Sequence, residues 1–304
     1  MRVFGMMLVC GLYSSAALAG GVVVLQSDTL APYEAAVEAF EVGLGQDVRV
    51  YNLRGDRERA VAVAHQLQKA RPELVFAVGE KAAWTASNLL SDVPQVFAQV
   101  KDPQRFGIGG TQVTGVVSLI PTETMLSQFR VFLPDVRRLG FLHSAQLSVD
   151  QQALVDEAKS AGFELLPVEI QSAKDLRAAV ISTLRKVDAL WLPPDPHLVN
   201  SDSFRFLSEA SRRSGIPILT SSEALVHAGA LIGVVPDHAA SGAQAAALAK
   251  RILVQGAIPG SISYEAPLGF RVLLNEASLA ALDLVIDPLF LDLTEPITTE
   301  SSER

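Results

Sequence analysis

Short apolar runs alternate with amphipathic stretches along almost the whole chain. In the first half the runs fall at 22–26 (VVVLQ), 48–53 (VRVYNL), 74–79 (LVFAVG), 95–99 (QVFAQ) and 114–119 (TGVVSL). They are apolar nearly without a break, which predicts strands buried on both faces instead of strands with one wet face. Between them apolar residues recur at helical spacing: Ala35, Val37, Phe40, Val42 and Leu44 after the first run, and Ala60, Val63, Ala64 and Leu67 after the second. Strand–helix–strand repetition predicts parallel pairing with right-handed crossovers.

A second round of the same rhythm follows. Pro121 and Pro134 bracket a helix, and further strands are expected at 139–143, 165–170, 189–193, 217–220 and 230–235. Helices are expected at 151–161, 173–185 and 203–214, and a long Ala-rich helix at 239–255 stops at Gly256. The pattern predicts an α/β fold of two Rossmann-like lobes, each built on a mostly parallel sheet.

The two ends read differently. The first residues carry one positive charge (Arg2), an apolar stretch over 3–13, then small residues ending in Ala17-Leu18-Ala19. This is the layout of a secretory signal peptide over 1–19, cleaved after Ala19, and it predicts a periplasmic protein. The stretch is shorter than the roughly 20 apolar residues needed to span a bilayer. An uncleaved anchor or a lipoprotein at Cys10 is the other reading, but Val9 stands where a small residue is required. Cleavage removes the single cysteine, and with it thiol catalysis and Cys-ligated metal. At the other end, residues 291–304 turn polar, with Pro296 and little to bury, and are expected to be a disordered tail.

Composition narrows the partners. Hydrophobic residues make up 49% and charged residues 19%, enough apolar material for two cores. A net charge of −8, with Lys and Arg scattered, argues against nucleic acid or an anionic membrane surface.

Catalytic motifs are absent: there is no GxxxxGK[ST], GxSxG, HExxH or CxxC. The five histidines (His65, His143, His197, His227, His238) put no two on one helical face, and neither a cofactor nor a metal is implied. The 107–110 stretch (GIGG) resembles a phosphate loop only loosely and reads as a surface turn.

In parallel sheets ligands sit beyond the carboxyl ends of the strands, and with two lobes the natural place is the cleft between them. The residues at those ends are Gln26, Ser27 and Asp28; Gly79, Glu80 and Lys81; Gln99 and the residues on to Asp102; Ser144 and Gln146; Asp195; Ser221 and Ser222; and Asp237. Several admit two readings. The free N–H groups at Gly79-Glu80-Lys81 suit an anion such as a ligand carboxylate, or Glu80 merely complements its own helix dipole. Asp195 and Asp237 either accept from a ligand ammonium or serve as turn and cap residues. Trp84 and Trp191 either stack on a ligand or pack.

At these residues the chain resembles the ABC transporter substrate-binding proteins of the tryptophan/tyrosine-binding type. The resemblance runs from Val22 to Leu284 and is strongest from Thr114-Gly115 through Pro121 to Leu133-Pro134-Asp135-Val136 and Gly140-Phe141-Leu142. Asp102-Pro103, the DALWLP run at 188–193 with Asp195, Gly229-Ala230-Leu231 with Asp237 and Gly242, and Asn275 with Ala277 keep the order of the family's shorter motifs. The resemblance implies a hinged, type I periplasmic-binding-protein fold. It places 20–119 plus about 239–258 in the N-terminal lobe and 120–238 plus about 259–290 in the C-terminal lobe. It further implies a monomeric, non-enzymatic receptor that captures a small, amino-acid-like ligand and delivers it to an ABC permease in the inner membrane. A ligand-sensing module partnering a membrane sensor kinase fits the same residues. The departures fall in the cleft: Glu80-Lys81 replaces a small hydroxyl residue and a proline, Ser222 replaces an Asp, and His238 replaces an aromatic.

Overall fold

The computed structural model describes residues 20–147, 149–172 and 174–297; the expected signal peptide and the last seven residues of the chain lie outside them. The first half folds as β1 (Val22–Gln26), α1 (Ala31–Leu44), β2 (Arg49–Asn52), α2 (Arg57–Ala70), β3 (Leu74–Val78), α3 (Glu80–Leu89), β4 (Gln95–Val100) and β5 (Val113–Val117). Its sheet is wholly parallel, in the order β2-β1-β3-β4-β5. Alternation sorts the strands' side chains onto two faces. Val23, Leu25, Val75, Ala77 and Phe97 pack under α2 and α3. Val22, Val24, Leu74, Phe76, Val78, Val96 and Ala98 face α1 and α9 (His238–Leu253), where Phe40 stacks on Phe76 at 4.0 Å between ring centres. β2 is the exception to full burial: it is an edge strand, so half of it stays wet.

The second half continues through α4 (Thr122–Phe132), β6 (Arg138–Ser144), α5 (Gln151–Ser160), β7 (Glu164–Ile170), α6 (Leu176–Leu184), β8 (Ala189–Leu192), α7 (Ser201–Ser214), β9 (Ile218–Thr220), α8 (Glu223–His227) and β10 (Ile232–Pro236). After α9 come β11 (Phe270–Asn275), α10 (Glu276–Ala281), α11 (Pro288–Leu291) and β12 (Glu295–Ile297). This sheet runs β12-β11-β10-β9-β8-β6-β7, with β11 antiparallel to β10 and every other pair parallel.

Two parts of the chain depart from expectation. The stretch from 291, expected to be disordered, is ordered to Ile297: β12 pairs with β11, and Arg271 reaches Glu295 at 2.8 Å. Residues 259–265, expected in the C-terminal lobe, lie along the first sheet instead. Glu265 N–H donates to Gly115 O at 2.9 Å, Thr114 Oγ1 to Ile262 O at 3.1 Å and Tyr264 OH to Ile108 O at 3.2 Å.

The chain thus passes between the lobes three times, at 117–122, 236–238 and 266–270. Ser118 N–H is still tied to Val100 O at 2.7 Å, whereas Ile120 already belongs to the second core. Gln244 on α9 clamps the third crossing. Its Nε2 donates to Glu265 Oε2 (2.9 Å) and Ala266 O (3.0 Å), and its Oε1 accepts from Leu268 N–H (3.1 Å). The second and third crossings touch where Asp237 N–H donates to Gly269 O at 3.0 Å.

Candidate functional site

The carboxyl ends of β1, β3 and β4 lie side by side, because Gln26 is level with Val78 and Val78 with Ala98. Beyond β3 the chain turns at Gly79 into α3. Gly79 has φ 86° and ψ 166°, and its missing side chain lets two neighbours close in. A Cβ built there would lie 2.7 Å from Ser27 Oγ and 2.8 Å from Tyr33 Cζ and Oη. Ser27 is a structural residue at this junction: its Oγ accepts from Ala82 N–H at 2.9 Å, capping α3 from a neighbouring strand. The N–H groups of Glu80 and Lys81, the first two of the helix, remain open to an incoming acceptor.

Two side chains at this edge are buried with unmet hydrogen-bonding capacity. Gln26 is 5% and Gln99 9% exposed, and the Nε2 of each has no partner. A buried donor left unpaired costs about 1–3 kcal/mol. Gln99 carries a second mark, a left-handed backbone with φ 60°. The β4–β5 register shifts between Phe97 and Val100, and both of those side chains sink into the core under α2 and α3. One residue too many therefore lies between them, and the bulge re-aims Gln99. Its Oε1 accepts only a long bond, 3.4 Å, from Ser118 Oγ. Strained backbone with an unsatisfied side chain is a mark of a binding position.

Around these donors stand acidic groups. Asp28 is exposed and turns its Oδ1 to Thr29 N–H at 2.8 Å. Lys81, beside Glu80, donates its ammonium to Gly55 O, and Asp28 Oδ2 crowds the same glycine. Burial first, then the negative fields of Glu80 and Asp28, push the Tyr33 phenol above its ordinary value, so it stays a neutral donor. On the other side of Glu80 a groove of about 550 Å³ runs between α2 and α3, walled by Val61, Trp84, Leu89 and Phe106. Trp84 is 39% exposed in that groove, neither core nor fully free. Trp191, in contrast, is core, with its ring 4.7 Å from Phe141. Lys101 and Asp102 are exposed, and Asp102 Oδ1 accepts from Arg105 N–H at 3.0 Å.

The second lobe supplies its residues less directly. Asp195 is 1% exposed, and its carboxylate turns inward, accepting from Ser144 N–H at 2.7 Å and His197 N–H at 3.0 Å. Burial works to raise its pKa, but hydrogen bonds from Ser144, His197 and Leu198 outweigh that and hold it below the ordinary value. It therefore fixes the end of β6 to the loop after β8. Asp237 is the N-cap of α9, with Oδ1 accepting from Ala240 N–H at 2.9 Å. Ser144 is buried, Gln146 is exposed on the turn that follows, and Ser221 and Ser222 are half-buried ahead of α8. Ser222 N–H donates to Thr220 Oγ1 at 3.2 Å.

Three residues at this edge escaped the strand-end rule. Tyr33 sits one turn into α1, so only extending the rule into the first helical turn would find it. Arg271 is the second residue of the antiparallel strand β11, whose beginning, not its end, lies level with the carboxyl end of β10. It pairs with Glu223 and Glu295, each at 2.8 Å. His238, noted in sequence only as a departure, has a buried Nδ1 without a partner. Burial and Arg271 lower its pKa against the opposing pull of Glu223 and Asp237, so it is neutral at pH 7. No group of three or more His, Cys, Asp or Glu is placed to hold a metal among the described residues.

Known proteins resemble this arrangement over most of its length. Residues 36–294 match the family model described as ABC transporter substrate binding protein. A tyrosine-binding protein of Clostridioides difficile is 25% identical over 253 residues, covering 79% of this chain and 72% of that one. The ligand-free, open structure of a substrate-binding protein with adhesive properties from Clostridium difficile superposes with a TM-score of 0.77 at 20% identity, over 92% of this chain and 99% of that one. An ABC domain from Streptococcus pneumonia in complex with L-Trp gives 0.60 at 22% identity, over 91% and 99%. These two structures share the type I periplasmic-binding-protein fold with the two lobes described above. The chain belongs to the family of ABC transporter substrate-binding proteins.

Proposed function

We propose that the protein is the solute receptor of an ABC-type uptake system, working outside the cytoplasm and capturing a small, amino-acid-like ligand between its lobes. The observation that carries this reading is the set of donors at the ends of β1, β3 and β4: Gln26 Nε2, Gln99 Nε2 and the first two N–H groups of α3. A ligand carboxylate supplies the acceptors they lack, and the helix N-terminus favours its charge. The second lobe approaches from the ends of β6, β8 and β10, so a ligand that contacts both lobes stabilises their approach only by its differential affinity for the closed form. The role is binding, not catalysis, as the family's is. The N-terminal signal layout supports export, and the tyrosine-binding relative supports an amino acid as the ligand class.

Thermal unfolding of the purified protein against the L-amino acids tests the reading. A ligand present at 100 times its Kd adds about 2.7 kcal/mol to stability and raises the midpoint. Gln26→Ala and Gln99→Ala should each remove most of that rise. A full panel that leaves the midpoint unmoved refutes solute capture.

A further inference from the structure

The bulge that re-aims Gln99 is also the anchor of the first crossing between the lobes. Ser118, the residue that follows β5, is bonded to it twice. Its N–H donates to Val100 O at 2.7 Å, and its Oγ donates to Gln99 Oε1 at 3.4 Å. Beyond Ser118 the chain has one exposed residue, Leu119, before Ile120 enters the second core with Met125 and Phe129 of α4. About 7 Å of extended chain therefore separates the partner of the Gln99 carboxamide from the packed interior of the other lobe. The other two crossings are fastened differently. Gln244 grips Glu265, Ala266 and Leu268, and Asp237 N–H holds Gly269 O. None of those bonds draws on Gln26, Gln99 or the first N–H groups of α3.

The two ends of the Gln99 carboxamide differ. Its Nε2 is buried without a partner, and its Oε1 holds Ser118 Oγ at a distance longer than the roughly 2.5–3.0 Å of an ordinary O–H···O bond. The left-handed backbone at φ 60° persists only because its surroundings hold it. An acceptor arriving at Nε2 polarises the amide and strengthens the acceptor at its other end, as bonds in a hydrogen-bonded chain reinforce one another. The slack in the Ser118 contact leaves room for that bond to shorten. We propose that Ser118 is the positioning residue through which a ligand held by Gln99 draws the first crossing, and with it α4 and the second lobe, towards the closed form. The coupling rests on the solute-capture reading above, since without a ligand at Gln99 there is nothing to transmit.

Small-angle X-ray scattering and titration calorimetry test this on the purified protein, using the L-amino acid that raises its unfolding midpoint most. The unsubstituted protein should contract on saturation. Ser118→Ala, at a concentration that saturates the variant, should lose most of that contraction. It should also bind about fivefold or more weakly, the size of a typical coupling between sites. Ser118→Thr, which keeps the hydroxyl, should restore both. The ligand-free urea midpoint should be the same in all three, because a merely structural role would move it and leave the contraction intact. Full contraction or unchanged affinity in Ser118→Ala overturns the coupling while leaving solute capture standing. So does a contraction lost equally in Ser118→Thr, lost together with the ligand-free midpoint, or missing from the unsubstituted protein. A flat response across all the L-amino acids removes solute capture and the coupling with it.

Discussion

Gly79→Ala is the substitution that bears most directly on the N-lobe corner. The native backbone at φ 86° and ψ 166° lies in a region that only glycine enters readily, and an alanine forced into it stores about 1–3 kcal/mol. Sterics add to this. The new methyl would stand 2.7 Å from Ser27 Oγ and 2.8 Å from the Tyr33 phenol. Relief moves either Ser27 off Ala82 N–H, uncapping α3, or the Tyr33 ring away from the strand end. Overpacking of this kind costs about 1–3 kcal/mol, for a total of about 2–6 kcal/mol. Gly45→Ala is the matched control. Gly45 ends α1 at φ 79° with no atom within 4 Å of a built Cβ, so its cost is backbone strain alone, about 1–2 kcal/mol. Urea unfolding followed by circular dichroism compares the two, and thermal shift with a bound amino acid reads the site. Gly79→Ala should lose more stability than Gly45→Ala and also lose its ligand response. Equal losses, with the ligand response intact, would refute the argument.

Other perturbations separate structure from binding. Gly242→Ala should destabilise by about 1–3 kcal/mol or more in urea, since its Cβ would fall 2.1 Å from the carbonyl oxygen of Ala36 in the α1–α9 seam. Asp195→Asn should cost about 2 kcal/mol, through lost charge-assisted bonds to backbone N–H groups. Because the folded pKa of Asp195 is depressed, its contribution is present above about pH 4 and disappears as pH falls through the folded value, so the variant should show a flatter acid limb. His238 has the opposite proton balance. Its folded pKa lies below the ordinary 6.5, the unfolded chain takes the proton first, and stability should decline as pH drops from 7 towards 5; His238→Phe should flatten that slope. Gln99→Gly should leave ligand-free stability within about 1 kcal/mol, as relief of the left-handed backbone offsets lost contacts, and should still weaken ligand binding by tenfold or more.

How much of this was legible in the sequence depended on what drives each element. The LVFAV run of β3 and the glycine after it needed no context, because continuous apolarity and a forced turn are local signals. The Ala-rich helix expected at 239–255 is observed at 238–253, with Val254 at its C-cap and Gly256, at φ 68°, in the turn that follows. β11 was missed because a strict strand–helix rhythm leaves no place for an antiparallel strand after a third crossing. β12 was hidden by its own composition: Glu295-Pro296-Ile297 is polar for a strand, and what orders it is the neighbour β11 and the Arg271–Glu295 pair. Position relative to strand ends placed Gln26, Gly79, Glu80 and Gln99 together at one edge of the first sheet, where the structure has them. It left Asp195 and Asp237 open between a ligand contact and a turn or cap role, and the structure shows each accepting from backbone N–H groups; the capping of α3 by Ser27 lay beyond it, since that depends on which N–H groups tertiary packing leaves unsatisfied. Tyr33 and Arg271 were beyond the same rule because each reaches the corner from the beginning of an element.

The placement of α9 also shapes how the molecule must be made. This helix covers one face of the first sheet, although more than a hundred residues of the other lobe precede it in the chain. A nascent polypeptide that has emerged only through β5 therefore leaves Phe76, Val96, Ala98 and Val116 partly uncovered on that side. Neither half matures as an autonomous unit in order of synthesis. A fragment cut at the 117–122 crossing should associate or precipitate, and an internal deletion that joins α9 directly to β5 offers a route to a soluble isolated N-lobe.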